Sequence, residues 1–464
     1  MSYDKMHRLD QSLRELADQV VNYAMERIAM QPPPLDGPKS VEELAKMYPT
    51  NITKEGLGGK EVLKRFVDSY APATLSSDHP RFLAFVPVAP TKASILFDLV
   101  VSASSICGTS WLEAAGAVFL ENEALSWLAE LAGMPKGSGG TFVSGGSAGN
   151  LSGLHTGRHH MYATRGSRPS RWSIICAQEA HSSIRSAANV MDVDVFVTEG
   201  DEQGRLTKCD LDAKWKALSE EERSQVFAVV ATAGTTNAGI VDDLRGAAEF
   251  AKEHGLWFHV DGAYGGAGLL SEEKRPLYIG VEEADSFVVD PHKWLFAPFD
   301  CAALIYRDPI LAAKAHTQEA AYLDDINSMP EWNPASFAYH LTRRTRGLPF
   351  WFSLAVNGTE AYEKAVQASI DLAKWTAKEI SSRDYLELVM DPELSVVMFK
   401  RKGWSASEYD AWSKAALRDQ VGFILPSMHS GEKILRFCFV NPTTTEADVS
   451  AILDSMVWKP NWRE

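Results

Sequence analysis

A lysine and an aspartate stand at the ends of two apolar stretches of this chain. Asp261 follows the apolar run 257–260, and Lys293 lies in a short polar turn after the run 286–289. If both runs are strands of one sheet, their side chains reach the same edge. A lysine amine forms a Schiff base with an aldehyde, and a carboxylate keeps a pyridine nitrogen protonated so that the ring accepts electrons. The pair therefore predicts a site for pyridoxal phosphate.

Each residue of this pair also has an ordinary alternative role. An aspartate after a strand commonly caps a helix or a turn, and a lysine in a turn is commonly solvated. Desolvation between His292 and Trp294 would instead lower the pKa of Lys293, as Schiff-base chemistry requires. A neighbouring pyridinium would lower the pKa of Asp261 and keep it ionised. The occurrence of both residues in this order favours the cofactor site.

A glycine-rich segment, residues 141–150, leads into a helical stretch at 151–160. It includes Gly146, which lets backbone N–H groups approach an anion, and Ser147, which adds a hydroxyl donor. The helix N-terminus contributes free N–H groups and a favourable dipole. Most glycine-rich turns bind nothing, and the segment lacks the Gly-Lys-Ser/Thr of a Walker motif. Phosphate binding is the functional interpretation.

Two more polar residues follow predicted strands. His181 comes after the strand 173–177, at the carboxyl edge where open α/β sheets bind ligands. Its imidazole could stack on a pyridine ring, although a surface histidine near a turn is the plainer alternative. Thr236 follows the strand 226–231 and could bond to Asp261 or to a substrate carboxylate. Four strand ends would thus bring polar side chains to one side of the sheet.

Size, charge and cysteine content narrow the class of protein. The 464 residues, 45% hydrophobic and 23% charged, suit a large globular domain with accessory pieces. The net charge of −15 argues against nucleic acid or an anionic membrane as a partner. Five scattered cysteines without CxxC spacing argue against a disulfide framework or structural zinc, and we expect no metal site. Without a signal-like N-terminus or an apolar run of membrane length, we expect a cytoplasmic protein.

Short β-runs alternate with helical patterns through the middle of the chain. This alternation predicts an α/β fold with a mostly parallel central sheet wrapped by helices. Strands are predicted at 173–177, 195–198, 226–231, 257–260, 286–289 and 302–306, followed by 394–400 and 433–440. Helices are predicted at 8–30, 93–105, 114–132, 151–160, 212–218, 244–253, 347–372, 406–420 and 445–457.

Three regions follow from this order of elements. Residues 1–90 form an N-terminal helical arm, whose amphipathic helix ends at prolines 32–34. The arm packs either on a second subunit or on its own domain. Residues 91–346 form the large cofactor-binding domain, with an aperiodic loop at about 316–346 that is expected to be a lid. Residues 347–464 form a small C-terminal α+β domain.

The chain resembles the group II pyridoxal-phosphate decarboxylases, which include aromatic amino acid, glutamate and histidine decarboxylases. The resemblance runs from about residue 78 to the C-terminus, and the motifs are most like those of the bacterial tryptophan and aromatic amino acid branch. The stretches that carry it are Asp78-His79-Pro80-Arg81-Phe82, Phe142-Val143-Ser144-Gly145-Gly146-Ser147, Gly234-Thr235-Thr236, Trp257-Phe258-His259-Val260-Asp261-Gly262-Ala263-Tyr264 and His292-Lys293-Trp294-Leu295.

This resemblance implies a fold-type I homodimer with the active site at the subunit interface. It implies that Lys293 attaches the cofactor, that Asp261 contacts the pyridine nitrogen and that His181 stacks on the ring. By the same matching, the phosphate lies near Gly146, Ser147 and His292, and the substrate side chain lies near Phe85, Pro87 and Trp111.

Two positions depart from the family pattern. Asp290 stands where the family often has an asparagine that helps to hold the phosphate. A second anion beside a phosphate is unfavourable, so Asp290 is not assigned as a ligand. In the lid, Tyr339 is the candidate for the tyrosine that returns a proton to the substrate, but it lies closer to the pair Arg343-Arg344 than the family's tyrosine does.

The resemblance implies α-decarboxylation of an L-amino acid to the amine and CO₂. An aromatic substrate (Trp, Phe, Tyr or Dopa) is favoured, because the apolar segment 82–87 offers only Arg81 as a carboxylate partner. The alternatives are aldehyde-forming decarboxylation–deamination with O₂ and decarboxylation of an acidic amino acid. A non-catalytic scaffold is disfavoured by the intact Lys293, Asp261 and His181. A Rossmann dehydrogenase is disfavoured because no GxGxxG opens an N-terminal strand–helix unit.

Overall fold

A computed structural model describes residues 6–327 and 330–457 of the chain. Its large sheet has the strand order β1-β7-β6-β5-β4-β2-β3. The pairs from β3 across to β6 are parallel, whereas β7 runs antiparallel to both of its neighbours. The seven strands are β1 (Gly139–Val143), β2 (Ser173–Ala177), β3 (Asp194–Thr198), β4 (Val226–Thr232), β5 (Trp257–Asp261), β6 (Ser286–Val289) and β7 (Ala302–Tyr306). The predicted α/β class is confirmed, and the six predicted strands of this sheet lie within one residue of their predicted bounds.

Helices cover this sheet and a second, smaller one. The smaller sheet is antiparallel, with the order β10-β11-β9-β8. Its strands are β8 (Leu386–Leu388), β9 (Val396–Arg401), β10 (Pro426–His429) and β11 (Glu432–Cys438). The helices are α1 (Gln11–Ala29), α2 (Val41–Met47), α3 (Gly59–Arg65), α4 (Lys92–Ala103), α5 (Trp111–Leu131), α6 (Gly146–Arg165), α7 (Ser182–Met191), α8 (Lys208–Ala217), α9 (Glu220–Gln225), α10 (Leu244–His254), α11 (Pro309–His316), α12 (Asp324–Asn327), α13 (Leu348–Asn357), α14 (Thr359–Ser381), α15 (Ala406–Arg418) and α16 (Glu446–Asp454).

The prediction of a single helix at 347–372 is wrong in one respect, because this segment forms two helices. Gly358 separates α13 from α14 and has φ 75°, a conformation that glycine adopts without strain. The predicted lid loop contains α12 and two 3₁₀ turns. The division of the chain into three regions remains a prediction.

The central strands are buried on both faces. All seven residues of β4 are buried, and so are all five of β2 and β5. A parallel sheet covered by helices on both sides has such continuous apolar runs. Polar side chains in these strands are therefore confined to their ends, unless other buried groups hydrogen-bond them.

Helix α6 lies unusually close to the sheet because of three glycines spaced four residues apart. A Cβ at Gly153 would be 3.0 Å from His259 Cε1, and a Cβ at Gly157 would be 2.6 Å from Trp257 Cγ. One at Gly149 would also crowd the sheet, on β6. The glycine face therefore lets the helix rest directly on β5 and β6.

Within the N-terminal arm, helix α1 is largely exposed, whereas residues 81–84 hydrogen-bond to Phe423 and Cys438. Helix α1 buries none of its residues, and it packs against α3. Leu13 and Val20 on its apolar side are exposed, and so is Leu9, which precedes the helix. Within residues 6–327 and 330–457, no helix combines the length and the hydropathy needed to cross a membrane.

Candidate active site

A cavity of about 410 Å³ lies at the carboxyl ends of β5 and β6, against the start of α6. Its lining residues are Ser144, Gly145, Gly146, Ser147, Asn150, His181, Ser183, Asp261, Ala263, Asp290, His292, Lys293, Phe299 and Asp300. A larger cavity of about 1010 Å³ lies between the N-terminal segment and the start of α14, but neither Lys293 nor Asp261 lines it. The smaller cavity is therefore the candidate site.

Lys293 is held in this cavity by a neighbouring acid. Its Nζ lies 3.0 Å from Asp290 Oδ2, and its backbone N–H donates to the Asp290 carbonyl. Burial acts to lower the pKa of Lys293, but the carboxylates of Asp290 and Asp261 outweigh burial, so that the pKa is raised. The predicted lowering of this pKa is wrong, because sequence spacing did not reveal how close Asp290 lies.

Asp261 ends β5 and is buried at the floor of the cavity. Its Oδ2 accepts a hydrogen bond of 2.8 Å from Asn150 Nδ2, and its Oδ1 accepts one of 3.1 Å from the N–H of Ala263. These two donors fix the plane of the carboxylate. The side chain therefore presents its two carboxyl oxygens to the cavity in one orientation.

His181 and the start of α6 complete the cavity. His181 is the N-cap of α7, and its Nδ1 lies 2.8 Å from Ser183 Oγ. The N–H of Gly146, the first residue of α6, donates to Asp290 Oδ2 at 3.1 Å. Nearby, His292 Nδ1 accepts from the N–H of Cys301, and burial lowers the pKa of His292.

The donor set of this cavity fits pyridoxal phosphate. An amine suits the aldehyde, a fixed carboxylate suits the pyridine nitrogen, and a helix N-terminus suits the phosphate. One buried atom stays unpaired: Asp290 Oδ1 has no hydrogen-bond partner. The cavity thus offers each kind of group that the cofactor needs, and the roles of its individual residues remain predictions.

Five predicted residues do not line this cavity within the single chain. They are Tyr339, Thr236, Phe85, Pro87 and Trp111. Tyr339 is 83% exposed, and its backbone N–H bonds to Ser152 Oγ on α6. The Phe85 ring is also exposed, 6.1 Å from the ring of Phe423. The single chain therefore places the predicted cofactor residues together with the exception of Thr236, and it leaves the predicted substrate and lid residues outside.

Sequence reasoning missed four polar residues behind Asp261. Asn150 and Ser183 line the cavity, while His259 and Ser286 lie deeper, and all four are buried. One signal was available, since His259 and Ser286 are polar residues within strands that are otherwise apolar. Such residues require partners.

Comparisons with known proteins agree with this geometry. Residues 42–402 match the family model described as the pyridoxal-dependent decarboxylase conserved domain. An aromatic-L-amino-acid decarboxylase of Bacillus atrophaeus is 28% identical, covering 96% of this chain and 94% of that protein. A cysteine sulfinic acid decarboxylase of Mus musculus is 30% identical over 78% of this chain and 75% of its own length.

A solved structure shows the same fold. The Oryza sativa TDC structure with PLP and tryptamine has a TM-score of 0.88 at 22% identity, covering 97% of this chain and 98% of that one. The predicted fold-type I architecture is confirmed. With the family model matching most of its length and the amine, carboxylate and helix terminus gathered in one cavity, the chain belongs to the pyridoxal-dependent decarboxylases and is a carboxy-lyase that uses pyridoxal phosphate.

Proposed function

We propose that this enzyme catalyses the α-decarboxylation of an aromatic L-amino acid to the corresponding amine and CO₂. One observation carries the proposal: Lys293 Nζ and the Asp261 carboxylate line the same cavity at the start of α6. Each has a defined neighbour, Asp290 for the amine and Asn150 for the carboxylate.

The chain's own residues prepare the reaction. When bound, the cofactor supplies an electron-accepting ring that stabilises the charge left at Cα. Asp261, with two N–H donors fixing it, holds a proton at the ring nitrogen. Lys293 Nζ would hold the cofactor, and Asp290 Oδ2 is placed to accept a hydrogen bond from that amine when it is free. His181 would lie against the ring, and Tyr339 or a cavity histidine would return the proton to the substrate.

The aromatic class rests on the charges around the cavity. Within the described chain, no arginine lines the cavity, so an acidic side chain would find no bidentate partner there. Arg81 was the one predicted partner for a substrate carboxylate near the apolar segment 82–87. It pairs instead with Asp448 at 2.8 Å and lines the larger cavity. Phe299 adds an apolar ring at the rim.

The proposal includes a homodimer whose two active sites lie at the interface. The exposed apolar side of α1 requires a covering surface, and Leu99 and Phe119 on α4 and α5 are exposed as well. A second copy of the chain would cover these surfaces and bring Tyr339 of the partner subunit to the cavity. We place this enzyme in the cytoplasm, in line with its five unpaired cysteines.

The test is a substrate panel with purified enzyme and pyridoxal phosphate. Trp, Phe, Tyr, Dopa, Glu, Asp and cysteine sulfinate are each incubated, and CO₂ and products are identified by mass. We expect amine from the aromatic substrates and none from Lys293→Ala, while the exposed-site control Lys364→Ala stays active. Aldehyde with peroxide would instead establish the oxidative reaction, and turnover of Glu or cysteine sulfinate alone would establish an acidic substrate.

A further inference from the structure

A chain of buried hydrogen bonds runs behind the cavity from Trp257 to Asp261. Trp257 Nε1 lies 2.8 Å from Ser286 Oγ, which lies 2.8 Å from His259 Nδ1. His259 Nε2 lies 2.9 Å from Asn150 Oδ1, and Asn150 Nδ2 lies 2.8 Å from Asp261 Oδ2. Each of these side chains is at most 4% exposed.

The direction of this chain follows from its two ends. An indole N–H only donates, so Ser286 Oγ accepts from Trp257, and an amide oxygen only accepts, so His259 Nε2 carries the ring proton and donates to Asn150 Oδ1. The Nδ1 of the neutral ring is then an acceptor for the Ser286 hydroxyl. The amide NH₂ of Asn150 is thereby left facing Asp261, as a donor to its carboxylate.

Asn150 also connects the chain to His181. Its Nδ2 lies 2.9 Å from Ser183 Oγ, which lies 2.8 Å from His181 Nδ1. The backbone N–H of Ser183 also donates to His181 Nδ1 at 3.2 Å, so Nδ1 is an acceptor, it receives the Ser183 hydroxyl proton, and the ring proton lies on Nε2. One amide thus connects two histidines of fixed tautomer to the Asp261 carboxylate.

The packing of α6 makes room for this chain. Gly153 lies against its middle: a Cβ there would be 3.1 Å from both His259 Nδ1 and Ser286 Oγ. Burial lowers the pKa of His259 to about 4, which keeps the ring neutral, as a single direction requires. The arrangement leaves every member of the chain with a partner.

We infer that Asn150, His259 and Ser286 are positioning residues that hold the Asp261 carboxyl group in one orientation and fix the His181 tautomer through one shared amide. The inference rests on the proposed roles of Lys293, Asp261 and His181. It extends them by joining the residue at the ring nitrogen to the residue at the ring face. A change at Asn150 should therefore alter both contacts at once.

The experiment is a double-mutant cycle between Asn150 and Asp261 in the holoenzyme. Asn150→Ala, Asp261→Asn and the double variant are compared for kcat, KM, cofactor affinity and the pH midpoint of the visible cofactor band. We expect Asn150→Ala to lower kcat at least about tenfold with little change in KM, to weaken cofactor binding and to move the pH midpoint. In the Asp261→Asn background, Asn150→Ala should have little further effect.

Two controls separate an effect on the position of Asp261 from an effect on folding. Asn441, a buried asparagine at the small sheet's side of the molecule, donates its amide to the Asp78 carbonyl. Asn441→Ala should lower the thermal unfolding midpoint about as much as Asn150→Ala and leave the cofactor band unchanged. If Asn150→Ala does not fold, Ser286→Ala takes its place in the cycle, with the same expectation and a smaller loss of kcat.

Three outcomes would overturn the inference. In the first, Asn150→Ala leaves the cofactor band unchanged, as Asn441→Ala does. In the second, Asn150→Ala lowers kcat by the same factor in the Asp261→Asn background as in the wild type. In the third, Ser286→Ala leaves kcat and the pH midpoint of the band unchanged. Failure of the proposed function has a different signature: Lys293→Ala would retain the cofactor band. A cofactor attached elsewhere would thus be recognised independently of the Asn150 result.

Discussion

The carboxylate of Asp290 bridges Lys293 and the first N–H of α6. Its Oδ2 lies 3.0 Å from Lys293 Nζ and 3.1 Å from the nitrogen of Gly146. Both groups are ones that we propose bind the cofactor, the amine its aldehyde and the N–H its phosphate. In those roles, Asp290 would compete with the cofactor for two of its binding groups.

Replacing Asp290 with asparagine should strengthen cofactor binding. Asp290→Asn removes a negative charge beside the phosphate and the charge that helps to raise the pKa of Lys293. We expect the dissociation constant of pyridoxal phosphate to fall about tenfold, equivalent to about 1.4 kcal/mol. Absorbance titration of the apoenzyme between pH 6 and pH 9 measures it.

Asp300→Asn is the matched control for this measurement. Asp300 lines the same cavity, but its carboxylate pairs with Arg346. The control should change cofactor affinity much less. Weaker binding by Asp290→Asn would show that Asp290 is needed as a ligand for the cofactor.

The exposed side of α1 should control subunit association. Val20→Glu places a charge on the surface that the second subunit is proposed to cover. We expect the variant to shift toward monomer in analytical ultracentrifugation and to lose activity in parallel, because the partner's lid no longer reaches the cavity. Asn22→Glu, an exposed change elsewhere on α1, should remain dimeric. An active monomer of Val20→Glu would contradict a shared site.

The end of the lid segment depends on a buried ion pair. Arg343 bonds to both carboxylate oxygens of Glu121 at 2.8 Å, and Glu121 also accepts from the N–H of Gly347. Arg343→Met leaves the Glu121 charge buried without its partner, and should reduce the free energy of unfolding by about 3–5 kcal/mol. Urea denaturation measures the loss.

A surface pair provides the contrast. Lys364 and Glu360 on α14 form an ion pair while largely exposed to solvent. Lys364→Met should leave the urea midpoint unchanged, because solvent screens such pairs. Equal losses in the two variants would mean that the Arg343 pair contributes no more than a surface pair.

Acid should destabilise the fold partly through His316. Burial lowers the pKa of His316 to about 4 from its ordinary value of 6.5. As the pH falls, His316 therefore takes up a proton in the unfolded chain before it does so in the folded one, which favours unfolding. The stability that the neutral, buried His316 contributes is fully present above pH 6.5 and is lost between pH 6.5 and about 4. His316→Asn should make the free energy of unfolding less dependent on pH in that window.

The pH experiment compares urea unfolding at several pH values in the two proteins. His429→Asn, at a partly exposed histidine on β10, is the control and should keep the wild-type slope. An unchanged slope in His316→Asn would mean that His316 titrates alike in the folded and unfolded chains.

The central sheet was largely predictable because its strands are local signals. Apolar runs such as the one before Asp261 are buried on both faces, so their ends can be located without knowing their neighbours. β1 escaped prediction, because Gly139 and Gly140 suggest a turn. Its pairing with β7 depends on a close approach: a Cβ at Gly140 would lie 1.8 Å from the Leu304 carbonyl oxygen.

The site was predictable where its residues follow strands or lie in the glycine-rich segment. Lys293, Asp261 and His181 could be placed by the first signal, and Gly146 and Ser147 by the second. The pairing of Asp290 with Lys293 and the line of groups behind Asn150 depend on contacts between distant segments. Periodicity carries no information about such contacts.

The three glycines of α6 that face the sheet, at residues 149, 153 and 157, have a consequence for stabilising this enzyme. Replacing helical glycine with alanine ordinarily gains up to about 1 kcal/mol, and it is a standard route to heat-tolerant variants. Here a methyl group at residue 157 would strike the indole of Trp257, and one at residue 153 would press on the imidazole of His259. Helix propensity alone would recommend alanine at these positions of α6, but an engineered variant should keep the glycines.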